Sequence, residues 1–282
     1  MTFTRRELLR WGTGAAALVM TGVRPAASWA RPLADKIPIG LQLYSVREDC
    51  AKDLPAVLEA VAKMGYAGVE FAGYYDRKAA ELQKLLSKNN LKCCGTHIQL
   101  DALRGDELKK TIEFNKTIGN KYLIVAWMPP TYADSLDAVK AAAKEFDEIA
   151  AKVKEQGMVV GYHAHGGDFK KIGDEFAWDL LFANTSADVT MQMDIGNCLE
   201  AGGKPIESLK RFPGRSKTIH LKESGGPDSA VVGEGVVNWK EVFEVCEGTG
   251  GTEWYIVEHE RPAGTPLGNV EKCLKNLRAM GK

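Results

Sequence analysis

The 282-residue chain has no excess of either charge: 37 Lys and Arg face 37 Asp and Glu, for a formal net charge of zero. Without a net field it has no long-range means of gathering a phosphate polymer or an anionic bilayer, so a small neutral or weakly charged ligand is expected. Histidine is scarce, with five in all. The six cysteines (Cys50, Cys93, Cys94, Cys198, Cys246 and Cys273) match no zinc-binding spacing. Adjacent Cys93 and Cys94 should point to opposite faces of a strand, and buried free thiols are the expectation. No Gly-x-Gly-x-x-Gly follows the first strand-like run, which argues against an open dinucleotide-binding sheet. Low-complexity tracts and interdomain linkers are missing as well. What remains is an ordinary globular composition, 45% hydrophobic and 26% charged, long enough for one large core.

The first thirty residues stand apart. Thr4-Arg5-Arg6-Glu7-Leu8-Leu9 carries paired arginines, residues 11–23 are mostly small and apolar, and Ser28-Trp29-Ala30 offers a cleavage point after Ala30. This is the layout of an export signal of the twin-arginine type. The apolar run is too short, and too rich in Gly and Ala, to span a bilayer well. Residues 1–30 are therefore expected to be a leader that sends a folded protein to the periplasm. Residues 31–282 form the expected mature domain, with no membrane contact once the leader is removed.

Beyond Ala30, strand-like and helix-like segments alternate. Strand patterns occupy 39–44, 66–71, 91–97, 122–127, 158–163, 189–194, 217–222 and 253–258, with starts spaced by about one βα unit. Amphipathic helical segments lie between them, among them 54–64, 78–88, 135–156 and 237–247. Met64-Gly65, Ile118-Gly119 and Gln156-Gly157 are placed as helix C-terminal caps. Eight such units predict a single (β/α)₈ TIM barrel. The loops at 224–235 and 261–268 are long and rich in Gly and Pro, and they fall at the end of the barrel where active sites are built.

Polar side chains collect at the ends of these strands: Glu70, His97, Trp127, His163 with His165, Asp194, His220 with Lys222, and Glu258 with Glu260. Residues two apart share a face of a strand, so each of these pairs can present a ligand beside a second functional group. Mixed oxygen and nitrogen donors suit manganese, zinc, cobalt or iron better than calcium. A cation there would polarise a carbonyl while a neighbouring base removes the adjacent proton, with Lys222 adding charge to the developing oxyanion. Each residue has a plainer role open to it. A lone His is more often a core residue, Asp194 can cap the turn after it, the glutamates can pair with Arg261 or Lys222, and Tyr44 and Trp127 can simply pack at the rim. Four consecutive strand ends bearing such groups favour the common site.

The segments Ile39-Gly40-Leu41-Gln42-Leu43-Tyr44-Ser45-Val46-Arg47, Gly161-Tyr162-His163-Ala164-His165, Met193-Asp194-Ile195-Gly196-Asn197, Ile219-His220-Leu221-Lys222-Glu223 and Gly233-Glu234-Gly235 resemble the xylose isomerase-like barrels, and more closely the sugar phosphate isomerase/epimerase group. The resemblance covers essentially the whole of 31–282. It implies one divalent metal held by Asp194, His220 and Glu258 with a ligand from strand five. Family members usually carry Glu at that fifth-strand position, where this chain has His163. His163 is then either the fourth ligand or the base itself, with Glu70 completing the shell. The ligand role is favoured, which leaves Glu258, His163, His165 and Lys222 as the candidate catalytic groups. Glu70, His97, Trp127 and Tyr44 are the candidate substrate contacts.

The resemblance further implies a sugar isomerase or epimerase working by proton abstraction. Export and the lack of a phosphate-cradling loop point to an unphosphorylated carbohydrate. The same first step could expel a leaving group, so a lyase opening 3-keto-glycosides made by a partner sugar oxidoreductase is the alternative. A DNA-repair nuclease of the same barrel type would need more metal ligands and a basic face, so no nucleic-acid partner is expected. A carbohydrate-binding protein without catalysis is the remaining class, disfavoured by the joint retention of Asp194, His220 and Glu258.

Overall fold

The computed structural model describes residues 36–282. The expected leader and its cleavage point, residues 1–30, lie outside the described residues. The strands in chain order are β1 (Ile39–Gln42), β2 (Gly68–Ala72), β3 (Lys92–Ile98), β4 (Tyr122–Val125) and β5 (Val159–His163). A short antiparallel hairpin of β6 (Lys171–Ile172) and β7 (Glu175–Phe176) follows, then β8 (Val189–Asp194), β9 (Thr218–Leu221) and β10 (Trp254–Val257). All but the hairpin close into one parallel eight-stranded barrel, with β1 bonded to both β2 and β10. The helices are α1 (Arg47–Met64), α2 (Ala79–Lys88), α3 (Gly105–Thr117), α4 (Leu136–Lys154), α5 (Ala177–Asn184), α6 (Ile195–Glu200), α7 (Pro205–Arg211), α8 (Trp239–Val245) and α9 (Pro266–Ala279). The (β/α)₈ barrel expected from the sequence is the fold observed.

Local chemistry sets the helix ends. In α4 the Ser135 hydroxyl accepts the Ala138 N–H at 3.1 Å, and Val139, Ala143, Phe146, Ile149, Ala150 and Val153 form its buried stripe. The helix expected at 54–64 starts where Asp53 leaves helical geometry (φ −154°, ψ 79°) and its carboxylate accepts the Ala56 N–H at 3.1 Å. An additional turn from Arg47 precedes it, which the apolar periodicity does not mark. Gly65, Gly119 and Gly157 have φ of +99°, +72° and +73°, as their expected capping role requires.

Two strands stop two residues earlier than expected, at Gln42 and Val125. The Gln42 side chain captures the Tyr44 N–H at 3.0 Å and turns the chain into a 3₁₀ turn over Leu43–Val46. Val125 lies opposite Ile98, the last residue of β3, so Trp127 has no ladder to join. Tyr44 and Trp127 therefore sit on loops above the barrel rather than on its strands.

Strand alternation separates two interiors. Val160 and Tyr162, Met191 and Met193, and Ile219 and Leu221 point outward and pack with Phe146, Trp178 and Phe182 into the apolar core beneath the helices. The intervening residues, His163, Gln192 with Asp194, and Thr218 with His220, point into the barrel and are buried there. All six cysteines are buried free thiols. No helix among the described residues is long and apolar enough to cross a membrane.

One irregularity in the barrel makes room for a buried carboxylate. The register of β2 against β3 shifts between Val69, opposite Cys93, and Glu70, opposite Gly95, which leaves Cys94 as the extra residue of a bulge. Gly95 then faces the barrel interior, where a methyl group would collide with the Glu70 carboxylate. Gly95→Ala should therefore overpack the interior and cost about 1–3 kcal/mol, read as a lowered midpoint in denaturant unfolding. An unchanged midpoint would show that Glu70 does not depend on this gap.

Candidate active site

The floor of the site is a polar layer built around Glu70, whose side chain is wholly buried. Gln42 Nε2 donates to its Oε2 at 2.8 Å and Gln192 Nε2 to its Oε1 at 2.7 Å. His220 Nε2 lies 2.6 Å and His97 Nε2 3.2 Å from Oε2. Gln192 also donates to Thr218 Oγ1 at 3.0 Å, and its carbonyl lies 2.7 Å from His97 Nε2. Burial opposes ionisation of Glu70, yet the His97 and His220 imidazoles beside it prevail and hold its carboxyl well below the usual range. The sequence suggests a substrate contact for Glu70. The structure instead places it beneath the cavity floor with both oxygens occupied, so its part is to orient other side chains.

His220 is the chief of these. With Nε2 held on Glu70, its Nδ1 faces Glu258 Oε2 at 2.8 Å and Asp194 Oδ2 at 3.7 Å. Burial alone would push this imidazole down, but Glu70 and Glu258 raise it to about 10. Glu258 resists its own burial through His220 and stays well below the usual carboxylate range. Asp194 goes the other way: burial raises it to about 7, Lys222 offsetting only part of the rise.

His163, Asp194, His220 and Glu258 each offer a donor atom within 4.8 Å of the others. They stand at the ends of β5, β8 and β9 and just past β10, so four strand termini supply one cluster. Asp194 Oδ1 accepts the Asn197 N–H at 2.7 Å, the capping role open to it from sequence, while Oδ2 and His163 Nδ1 are buried without a partner among the described residues. An unsatisfied buried polar atom costs roughly 1–3 kcal/mol, a cost that a cation held by the cluster would offset. Burial, together with neighbouring His220 and His97, holds His163 well below its ordinary value, as the neutral imidazole that ligates metals. Two imidazoles and two carboxylates fit a first-row divalent cation. The Glu70–His220 bond is the carboxylate support that ligating histidines characteristically have.

Above the cluster opens a cavity of about 730 Å³. One side carries His163, His165, Asn197, Lys222, Glu258 and Glu260. Lys222 Nζ lies 3.1 Å from Glu258 Oε1 and 2.5 Å from Glu260 Oε1. Burial works against its charge, but Asp194, Glu258 and Glu260 hold its pKa above the ordinary lysine value. The His165 Nδ1 is buried without a partner among the described residues, and burial lowers its pKa despite Glu258 nearby. His97, Tyr44 and Trp127, the other candidate substrate contacts, line the opposite side.

Several residues that shape the site carry little or no signal in the sequence. Gln42 and Gln192 are detectable in principle: Gln192 stands two residues before Asp194 and so shares its face, a polar group in an otherwise apolar strand. Asp168 leaves no signal, since it acts through a loop. Its Oδ2 accepts the His165 N–H at 2.6 Å, and its Oδ1 accepts the hydroxyls of Tyr132 and Tyr162 at 2.6 and 2.8 Å. Glu223 is buried behind Lys222 and gathers the N–H groups of Ser224, Gly233 and Val237 with Trp239 Nε1, at 3.0, 2.6, 3.2 and 2.9 Å. It thereby folds the long loop after β9.

Residues 58–280 match the family model for the xylose isomerase-like TIM barrel. Among curated proteins, an inosose dehydratase of Bacillus thuringiensis (strain Al Hakam) is 23% identical over 243 residues, covering 72% of this chain and 81% of the relative. A crystal structure of a sugar phosphate isomerase/epimerase from Parabacteroides distasonis ATCC 8503 superposes with a TM-score of 0.72 at 26% identity, covering 85% of this chain and 97% of that one. The IOLI protein, solved with a bound zinc atom, superposes at 0.66 with 15% identity, covering 86% and 97% of the two chains.

Glu70→Ala should strand the buried His220 charge and destabilise the protein by about 3–5 kcal/mol, measured by urea unfolding. A change below about 1 kcal/mol would mean that the Glu70–His220 pair is not an anchor of the fold. Asp168 gives a pH prediction. Burial raises its folded-state pKa from 3.8 to about 6, the bonds from Tyr132, His165 and Tyr162 offsetting only part of the rise. The native state thus binds this proton more tightly than the unfolded chain, and stability falls as pH rises through that window. Asp168→Asn should flatten this part of the stability profile relative to the unsubstituted protein. Parallel profiles for the two proteins would exclude the assignment.

Proposed function

The chain belongs to the xylose isomerase-like TIM barrels, and from that premise we propose a divalent-metal-dependent sugar isomerase or epimerase that removes a proton beside the carbonyl of an unphosphorylated carbohydrate. The cluster of His163, Asp194, His220 and Glu258, with two buried donor atoms unpartnered among the described residues, is the observation that carries the proposal. Manganese, zinc, cobalt or iron suits that donor set, and the zinc-bound relative supports the assignment. An ion held there supplies a Lewis acid next to the substrate carbonyl.

The remaining work falls to the chain. Both Glu258 oxygens are engaged, by His220 and Lys222, whereas the His165 ring lines the cavity and burial holds it toward its neutral form. His165 is accordingly the base that takes the proton from carbon, and Lys222 holds positive charge against the oxyanion that develops. Lys222 is also the cation among the described lining residues, and Glu258 and Glu260 bracket it. A phosphate would meet those carboxylates, which supports a neutral substrate.

Elimination is the second reading, favoured by the relatives named inosose dehydratase. It shares the first proton transfer and then expels a group β to the carbonyl, as a 3-keto-glycoside lyase would. From residues 1–30 we also propose export by the twin-arginine route, and from the elimination reading a sugar oxidoreductase as functional partner.

Proton NMR in deuterated water, with manganese and a panel of free ketoses and 3-keto-glucosides, tests the chemistry. Deuterium beside the carbonyl, with an aldose or epimer appearing, is the expected result; aglycone release would select elimination. Exchange that continues at full rate after chelation, or in Asp194→Ala, would sink the metal assignment. Calorimetry on the same variant should show metal binding weakened by about tenfold or more with the barrel still folded.

A further inference from the structure

The cavity has two unlike halves. The ends of β5, β8, β9 and β10 supply the polar half. The loops and ends of β1 to β4 supply Tyr44, Tyr74, Ile98, Ala102, Ala126 and Trp127. Gln99 also lines this second half, which is otherwise aromatic and aliphatic. His97 Nε2 is committed to Gln192 and Glu70, and the Tyr74 hydroxyl is bonded to Asn115 at 3.1–3.3 Å.

The aromatic groups are also held in place before any ligand arrives. Tyr74 stacks on Phe114 with ring centroids 4.1 Å apart. The Arg47 guanidinium lies 4.2 Å from the Tyr44 ring centroid while its Nη1 donates to the Tyr44 carbonyl at 2.9 Å. The Tyr44 N–H is fixed on Gln42, which is itself bonded to Glu70. Trp127 is followed by Met128 and two prolines, and its side chain remains 49% exposed; Tyr44 is 43% exposed. Two large, exposed aromatic residues at one rim are seldom incidental when the polar site lies directly across from them.

At about 730 Å³ the cavity falls in the upper part of the range of about 300–1,000 Å³ that holds drug-sized ligands. From this size and this division we infer that the substrate is a sugar that carries, besides the reacting carbonyl, an apolar, ring-bearing aglycone. The sugar lies over the polar half, and the aglycone stacks on Trp127 and Tyr44. The inference rests on the carbohydrate reading of this site and narrows its substrate class.

Binding, rather than turnover, tests it. The full-length, manganese-loaded protein is titrated with matched methyl and phenyl glycosides of glucose, galactose and mannose, and with cellobiose. Saturation-transfer NMR reads which protons touch the protein. Each phenyl compound that binds should bind about threefold to tenfold more tightly than its methyl congener, the increment expected for an aromatic pair, with its ring protons saturated. Trp127→Ala and Tyr44→Ala should each move that ratio toward one. Both side chains are exposed, and circular dichroism checks that the variants are folded.

A ratio of one in the unsubstituted protein, a ratio unmoved in both variants, cellobiose binding more tightly than phenyl glucoside, or no glycoside of the panel binding would each overturn the inference. Because deuterium exchange on free ketoses is scored separately, its failure is distinguishable from a failure of the aglycone site.

Discussion

Four side chains converge on the Glu70 carboxylate, and the rest of the site is oriented through that convergence. An ionised carboxylate in a protein interior is tolerable only when its oxygens are met by hydrogen bonds and opposite charge. Here Gln42, Gln192, His97 and His220 meet them from four different strands, so the charge ties the strands' inner faces together. The dependence runs in both directions. The bulge at Cys94 and the open space at Gly95 admit the carboxylate. The carboxylate in turn aligns His220 so that its other nitrogen faces Asp194 and Glu258. A backbone irregularity in a distant strand thus decides where the second His220 nitrogen points.

Floor and rim are built on different principles. The floor is made of strand ends whose positions follow from barrel register, and its polar groups are buried and mutually bonded. The rim is made of loops and presents groups that are free to meet a ligand. Lys222 and His165 stand at the boundary, Lys222 held by Glu258 and Glu260 and the His165 backbone by Asp168, and both line the cavity. This arrangement sets groups that face a ligand on a rigid support.

Much of this is legible in the amino-acid sequence, for physical reasons that can be named. The period of two in a strand, read together with the residue type at each strand end, is enough to bring His163, Asp194, His220 and Glu258 to one mouth. The eight βα periods are likewise enough for the barrel. Glu70 is misread because its surroundings are non-local: nothing within β2 reveals that two glutamines and two histidines from other strands occupy its oxygens. Gln42 and Gln192 look like neutral filler for the same reason. Asp168 and Glu223 act through loop backbone, where no periodicity marks a side chain's direction. Tyr44 and Trp127 are recognisable as aromatic groups of the mouth but fall within strand-like patterns, because the Gln42 side chain and the end of β3 stop those strands in ways that hydrophobicity does not register.

The loops around the mouth also differ in what secures them. The turn carrying His165 is fastened by Asp168, the long segment after β9 by Glu223, and the turn carrying Tyr74 by Asn115. None of these three fasteners belongs to the cluster beneath. Glu223 and Asn115 thus brace their segments apart from the buried carboxylates, whereas Asp168 also ties the His165 turn to Tyr132 of the loop after β4. The segment after β9 and the turn of Tyr74 can therefore vary in sequence while the buried cluster keeps its own bonds.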